Sequence, residues 1–407
     1  MEVDSPNQSN PYTPGFGEVP RIMAVHGNPV ADFERGLDGR SSEHLNVLIS
    51  GARGMGKTVL LKRMVHVAEA ERRWPVIPLF TSSKSFEDEI RMSAAFHLRR
   101  LDPDASESRV TSGGTSFMGF GINTAREVTE RYADIPDTWG ALLERLADLA
   151  TKQGDGLMIA VDEVQSAQPQ QLYELAQRIQ WHKGQGSRIA FAAAGLPEGI
   201  DNLLDSDGTT FLRRSHRVEV QSLGVEGAVE VLRATAEDGG KEMTGDAARA
   251  AGEISQGYPY LMQLIGSYAW EKSKHDNTLT LEHVNASKPQ AVADMIRNIH
   301  GPTLRSMSGR KFDYLVAMTE DRGPSNVSDI AERMGVNSNN QSVYRDRLIR
   351  QGIIRPYGYG SVEFAMPYMR EAVVQRHTGQ IGPSVSTTGT PTLTLIPTRS
   401  QSAKSKQ

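Results

Sequence analysis

The sequence predicts an α/β fold. A parallel sheet sandwiched by helices is built around a phosphate-binding loop (P-loop), and an all-helical lid and a winged-helix domain follow. Three observations predict it. Gly51-Ala52-Arg53-Gly54-Met55-Gly56-Lys57-Thr58 has the G-x-x-x-x-G-K-[ST] form, with Val47-Leu48-Ile49 before it and Val59-Leu60-Leu61-Lys62-Arg63-Met64 after it. That is the strand–loop–helix setting the motif requires. Leu157–Val161 and Ile189–Ala194 are apolar without alternation, as strands covered on both faces are. The last hundred residues read as three helices and then two short strands.

Residues 1–20, rich in Pro, Gly, Ser and Asn, cannot form a core of their own, but Tyr12 and Phe16 suit a segment lying along the first domain. Helix is expected over 29–40 and strand over Asn46–Ser50. In the loop, glycines let the backbone wrap a polyphosphate, and N–H groups at a helix start point at negative charge. Lys57 is expected on the β/γ-phosphates and Thr58 on Mg²⁺. A strand over 74–80, a helix over 86–101, a long loop over 103–122 and a helix over 138–152 come next.

Leu157-Met158-Ile159-Ala160-Val161 ends in Asp162-Glu163. Asp162 reads as the metal partner and Glu163 as the base that polarises the attacking water; a helix-capping pair is the plainer alternative. Helix 168–184, strand 188–194 and Gly195-Leu196-Pro197 complete the alternation that makes a parallel sheet. Ligands in such sheets sit at the carboxyl ends of the strands, where Ser50 and Asp162 lie. The cluster Arg213-Arg214-Ser215-His216-Arg217 comes after the last of these strands. It offers Arg213 or Arg214 as an arginine finger, or is simply a solvated basic surface.

Helices are expected over 225–237, 244–255, 259–273 and 280–287, with Pro259 in a first turn. Helices over 311–320, 327–336 and 343–352, opened by Asn337–Ser342, precede strands Ile353–Pro356 and Ser361–Ala365. The third is the candidate recognition helix, with Tyr344, Arg345, Arg347 and Arg350 as DNA contacts. Residues 310–376 carry ten basic and eight acidic side chains, a charge of only +2, so a protein-contact role stays open. The boundaries expected are 1–20 extended, 21–222 P-loop domain, 223–295 lid, 303–377 winged helix and 378–407 disordered tail.

Net charge is −4 over 407 residues, so any basic surface is local. With no cysteine, disulfides, thiol catalysis and Cys-ligated zinc are excluded, and a reducing, cytoplasmic setting is expected. Met1-Glu2-Val3-Asp4 is no signal peptide, and no run is long and apolar enough to span a membrane. The ten histidines show no metal-binding spacing.

The loop, Asp162-Glu163, Ala194-Gly195-Leu196-Pro197, Gly257-Tyr258-Pro259-Tyr260, the winged-helix order and Asn10–Gly17 together resemble the AAA-type ATPases, related to origin-recognition initiator ATPases and to STAND ATPases. The resemblance covers about 10–376. It implies a switch driven by ATP and Mg²⁺, in which lid and winged helix move with nucleotide state. Its partners would be double-stranded DNA, a further copy or another protein. It also implies that Tyr258 and Pro259 meet the nucleotide, in the manner of the STAND pattern. This chain departs from relatives at His26-Gly27-Asn28, where a Gly-Arg pair is usual, and at Ala194-Gly195, where a polar sensor residue is usual. Both departures imply slow hydrolysis.

Overall fold

The computed structural model describes residues 9–15, 17–80, 86–101, 139–205, 207–307 and 309–379. Strands β1 (Asn46–Ser50), β2 (Val76–Phe80), β3 (Leu157–Asp162), β4 (Ile189–Gly195) and β5 (His216–Glu219) form one sheet. Its order is β2-β3-β4-β1-β5 and every pairing is parallel. Successive side chains point to opposite faces, so each uniformly apolar strand feeds two cores. Leu157, Ile159 and Val161 of β3 pack with helices Phe86–Leu101, Trp139–Lys152 and Pro169–Gly184. Met158 and Ala160 face the other way, toward helix Lys57–His66 and the core shared with the C-terminal half.

The order carries the functional consequence. β4 lies between the loop strand β1 and the acid strand β3. Its carboxyl end, Gly195, is therefore level with Ser50 on one side and stands beside Asp162 on the other.

Helices Gly224–Asp238, Gly245–Ser255, Pro259–Lys272 and Leu281–Met295 pack as one group, with a two-stranded parallel ladder of β6 (Glu242–Met243) and β7 (Thr278–Leu279). The fourth helix was expected to stop at 287. It runs to Met295 with Pro289 inside, then through a π turn (Ile296–His300) into Gly301–Arg305. Val284, Ala291, Met295 and Leu304 are buried. The packing of that face outweighs the hydrogen bond lost at proline.

Residues 9–15 and 17–28 strap these parts together. Tyr12 is buried, its ring edge-on to Trp270 and its hydroxyl donating to the Leu232 carbonyl at 2.7 Å. Asn10 Nδ2 donates to Ser267, the Thr13 N–H donates to Gln263 Oε1, and Lys62 Nζ of the loop helix donates to the Gly17 carbonyl. Gly266 leaves the space the Tyr12 ring fills, since a Cβ there would lie 2.3 Å from it. Tyr12→Ala is expected to destabilise the protein by about 3–5 kcal/mol, as large aromatic truncations do, read as a lowered thermal midpoint.

The C-terminal part holds helices Arg310–Met318, Val327–Arg333, Ser338–Arg350 and Met369–His377 with an antiparallel sheet of β8 (Ser325–Asn326), β10 (Ser361–Phe364) and β9 (Ile354–Pro356). Tyr314, Leu315, Ile330, Leu348, Ile353 and Val362 form its centre. Gln341 Nε2 donates to the buried Tyr314 hydroxyl at 2.9 Å. Arg333 forks onto Asp321 at 2.6 and 2.7 Å, which lowers the Asp321 pKa to about 2.

Other expectations need adjustment. Helix 29–40 ends at Leu37, because Gly39 takes a left-handed φ of 77°. Helices Pro197–Asp205 and Met369–His377, the 3-10 segment Asp207–Arg214 and strand β8 were not foreseen. The expected loop over 103–122, Phe16 and residues 380–407 of the expected tail lie outside the described residues. No helix among the described residues is long and apolar enough to cross a membrane.

Candidate functional site

The loop from Gly51 to Gly56 leaves β1 and opens helix Lys57–His66. Gly54 and Gly56 have φ of 73° and 91°, which only glycine adopts without strain. Gly56 caps the helix, so the helix's free N–H groups face the loop's hollow. Lys57 is buried (6% exposed), and its Nζ donates to the Ala52 carbonyl at 2.8 Å across the loop. Burial pulls its pKa down to about 8, against the pull of Glu163 and Asp162. Ala52 and Met55 are buried, while Arg53 is exposed.

Asp162, half-buried at the end of β3, accepts the Thr58 hydroxyl. Burial raises its pKa, and the bonds from Thr58 and from the Glu163 N–H (2.9 Å) only partly offset that rise. Such a carboxylate is short of a counter-cation. Two adjacent oxygen donors, Thr58 and Asp162, fit Mg²⁺, which keeps waters and phosphate oxygens for its other positions. No cluster of three or more His, Cys, Asp or Glu capable of holding a metal exists among the described residues.

Glu163 has a left-handed φ of 55°, a conformation that costs a non-glycine residue on the order of 1–3 kcal/mol and clusters at functional sites. The kink starts a 3-10 turn over Val164–Ser166. Gln165 Nε2, in that turn, donates to Glu163 Oε2.

Tyr258 and Pro259 come to the loop from the helical group. Tyr258 is fully buried with its ring against Gly54, where a Cβ would lie 2.7 Å from the hydroxyl oxygen. That hydroxyl has no hydrogen-bond partner among the described residues, and burial pushes its pKa far up. Pro259 heads the helix, and the Tyr260 N–H donates to the Gly54 carbonyl at 3.3 Å. A buried, unsatisfied donor at a phosphate loop suits a ligand oxygen.

The arginine cluster precedes the edge strand rather than following the sheet. β5 begins at His216, opposite Val47, and ends at Glu219, opposite Ser50. Arg213 and Arg214 thus stand at the sheet edge away from the loop, about 10 Å along the strand direction. Arg213 Nε caps the preceding helix by donating to the Leu204 carbonyl at 3.0 Å, and Arg214 is exposed.

In helix Ser338–Arg350, Arg347 and Arg350 are exposed and make no ion pair among the described residues. Arg345 pairs with Asp346 at 3.0 Å. Tyr344 is half-buried against the core. Just past this helix, Gly352 (φ 66°) sits on the phosphate loop, where a Cβ would lie 3.4 Å from Ala52 Cα and Cβ. Neither this contact nor Gln165 carries a motif that sequence reasoning could find.

Residues 40–204 match the family model of an AAA domain, and residues 297–372 match that of a domain of unknown function, DUF8462. No curated protein matches the chain. Among solved structures, the Walker-type ATPase PABY2304 of Pyrococcus abyssi is similar, with a TM-score of 0.64 at 15% identity over 89% of this chain and 99% of that one. So is the ORC2 protein of Aeropyrum pernix in its ADPNP–ADP complexes, with a TM-score of 0.61 at 14% identity over 90% and 98%. At these identities the likeness is one of fold. The fold is that of an AAA-type P-loop ATPase resembling the origin-recognition proteins.

Proposed function

We propose that this protein binds and hydrolyses ATP as a molecular switch, and that nucleotide state controls DNA binding through a C-terminal winged helix. The observation that carries the switch is the seat of Gly352 on Ala52. A triphosphate entering the loop changes the charge and shape of the surface on which the C-terminal unit rests. Helix Ser338–Arg350 points its carboxyl end, the negative end of its dipole, toward that seat. A polyanion in the loop therefore opposes the contact, and the Tyr258 ring on Gly54 ties the helical group, as a lid, to the same loop.

In this reading Lys57 leaves the Ala52 carbonyl for the β/γ-phosphates, and the Tyr258 hydroxyl donates to the nucleotide. Thr58 and Asp162 hold Mg²⁺, which when bound neutralises phosphate charge. Glu163 takes the proton of a water whose oxygen attacks the γ-phosphorus, as the bond to the β–γ bridging oxygen breaks. Arg213 and Arg214, remote from their own loop, would serve the nucleotide of a second copy.

Arg347 and Arg350, with Arg345 and Tyr344 beside them, form the DNA-facing edge of the recognition helix. Duplex affinity is expected to differ between ATP and ADP. Arg347→Ala is expected to flatten the slope of log affinity against log salt by about one unit. Equal binding by parent and variant, with the same slope, would remove the DNA reading. A protein-contact role of the signalling-ATPase kind is favoured by one observation, the wing-tip residues Tyr357 (54% exposed) and Tyr359 (fully exposed). Nucleotide-dependent self-association without DNA affinity would select it.

A further inference from the structure

We propose that Gln165 is the positioning residue for Glu163, supplying from the β3 side the polar group that the end of β4 lacks. This rests on Glu163 being the base. The carboxyl end of β4 lies between the phosphate loop and the acid pair. It reads Ala194-Gly195-Leu196, with no polar side chain to offer. The side-chain amide of Gln165 fills the gap. Its Oε1 accepts the Leu196 N–H at 2.9 Å, and its Nε2 donates to Glu163 Oε2.

The chemistry fixes this orientation. A backbone N–H can only donate, so it must face the amide oxygen. An ionised carboxylate can only accept, so it must face the amide nitrogen. The flipped amide would break both bonds.

The seat is built for this side chain. A Cβ on Gly195 would lie 2.8 Å from Gln165 Oε1, and one on Gly199 would lie 2.8 Å from Gln165 Cβ. Both glycines keep open the space the amide occupies. The left-handed Glu163 and the following 3-10 turn, closed by the Ser166 N–H on the Glu163 carbonyl at 2.7 Å, fold residue 165 back onto residue 163. Val164 anchors the turn in the core at 2% exposure.

The amide does two things for a base. It holds the carboxylate in one rotamer, and its N–H gives the ionised form a fixed donor. It also makes Glu163 sensitive to the end of β4, because a shift of the Leu196 N–H pulls on the same amide.

The test is steady-state ATP turnover, with ATP affinity and thermal midpoint measured alongside to establish folding. Gln165→Ala is expected to keep ATP affinity within about twofold and to lower kcat by about ten- to a hundredfold, the scale of a misplaced reacting group. KM for ATP is expected to stay near the parent's, so the loss falls on kcat alone. Gln165→Glu replaces the donating amide with a second carboxylate, which can only accept, and is expected to lose at least as much kcat. In a Glu163→Gln background, Gln165→Ala must add no further loss, since the two act as one unit.

A Gln165→Ala protein with parental kcat, beside a Glu163→Gln protein that no longer turns over, overturns the proposal and leaves the base assignment standing. Losses that add in full in the double variant overturn it too, because they give Gln165 a role independent of Glu163. Parental turnover by Glu163→Gln overturns the base assignment, and the role of Gln165 falls with it.

Discussion

Lys57→Ala is expected to weaken ATP binding by about ten- to a hundredfold, measured by titration with a fluorescent ATP analogue. Lys57 is 6% exposed, and its ammonium sits in the loop against the Ala52 carbonyl. Its desolvation is already met in the free protein, so a phosphate that displaces the carbonyl gains a strong charge-assisted contact. A hydrogen bond to a charged group contributes about 1.5–3 kcal/mol, and each 1.4 kcal/mol is tenfold in affinity. The parent's affinity must also depend on pH in a defined direction. Free Lys57 has a pKa of about 8, and a bound phosphate raises it. Binding above pH 8 must therefore take up a proton, so affinity falls as pH rises from 8 toward 10. Below pH 8 the lysine is already charged and contributes no slope. Removing the ammonium should remove this alkaline dependence along with the affinity. Parental binding by Lys57→Ala would refute the loop assignment.

Glu163→Gln is expected to bind ATP as the parent does and to lose turnover by about 10²–10⁴-fold, the usual contribution of a general base. The amide keeps the side chain's shape but cannot take the proton of the attacking water. Binding is spared because, in the proposed reading, Lys57 and the loop amides, not Glu163, meet the phosphates. Burst and steady-state phosphate release separate the two effects. Phosphate release at the parental rate would show that another group activates the water.

Much of the P-loop domain was legible because its signals are local. The loop needs its glycines at fixed offsets, and a doubly covered strand needs an unbroken apolar run. β1, the loop and the end of β3 at Asp162-Glu163 therefore stand where the sequence reading put them. Other features depend on pairings far apart in the chain. That β4 separates loop from acids is a matter of strand order, which no strand's composition records. Gln165 is one glutamine among many until the left-handed turn at Glu163 brings it back. Gly352 on Ala52 joins residues three hundred positions apart through a contact between two small residues. The edge strand after Arg213 and Arg214 is hard to read because β5 is short and only half-buried, so His216 and Arg217 look like part of a basic stretch. Pro289 is a strong local signal for a break, yet the buried face of its helix overrides it.

The central claim is that ATP moves the C-terminal unit off the phosphate loop. A distance measurement between two spin labels tests it most directly, and the chain's lack of cysteine lets two introduced cysteines be labelled without background. Gln180 and Tyr359 are both exposed, one on the helix over the sheet and the other in the turn between β9 and β10. In a Gln180→Cys, Tyr359→Cys protein that also carries Glu163→Gln, the distance distribution is predicted to shift when ATP replaces ADP. It should return when ATP is removed. A single distribution, unchanged between the nucleotide-free, ADP-bound and ATP-saturated protein, would contradict the switch.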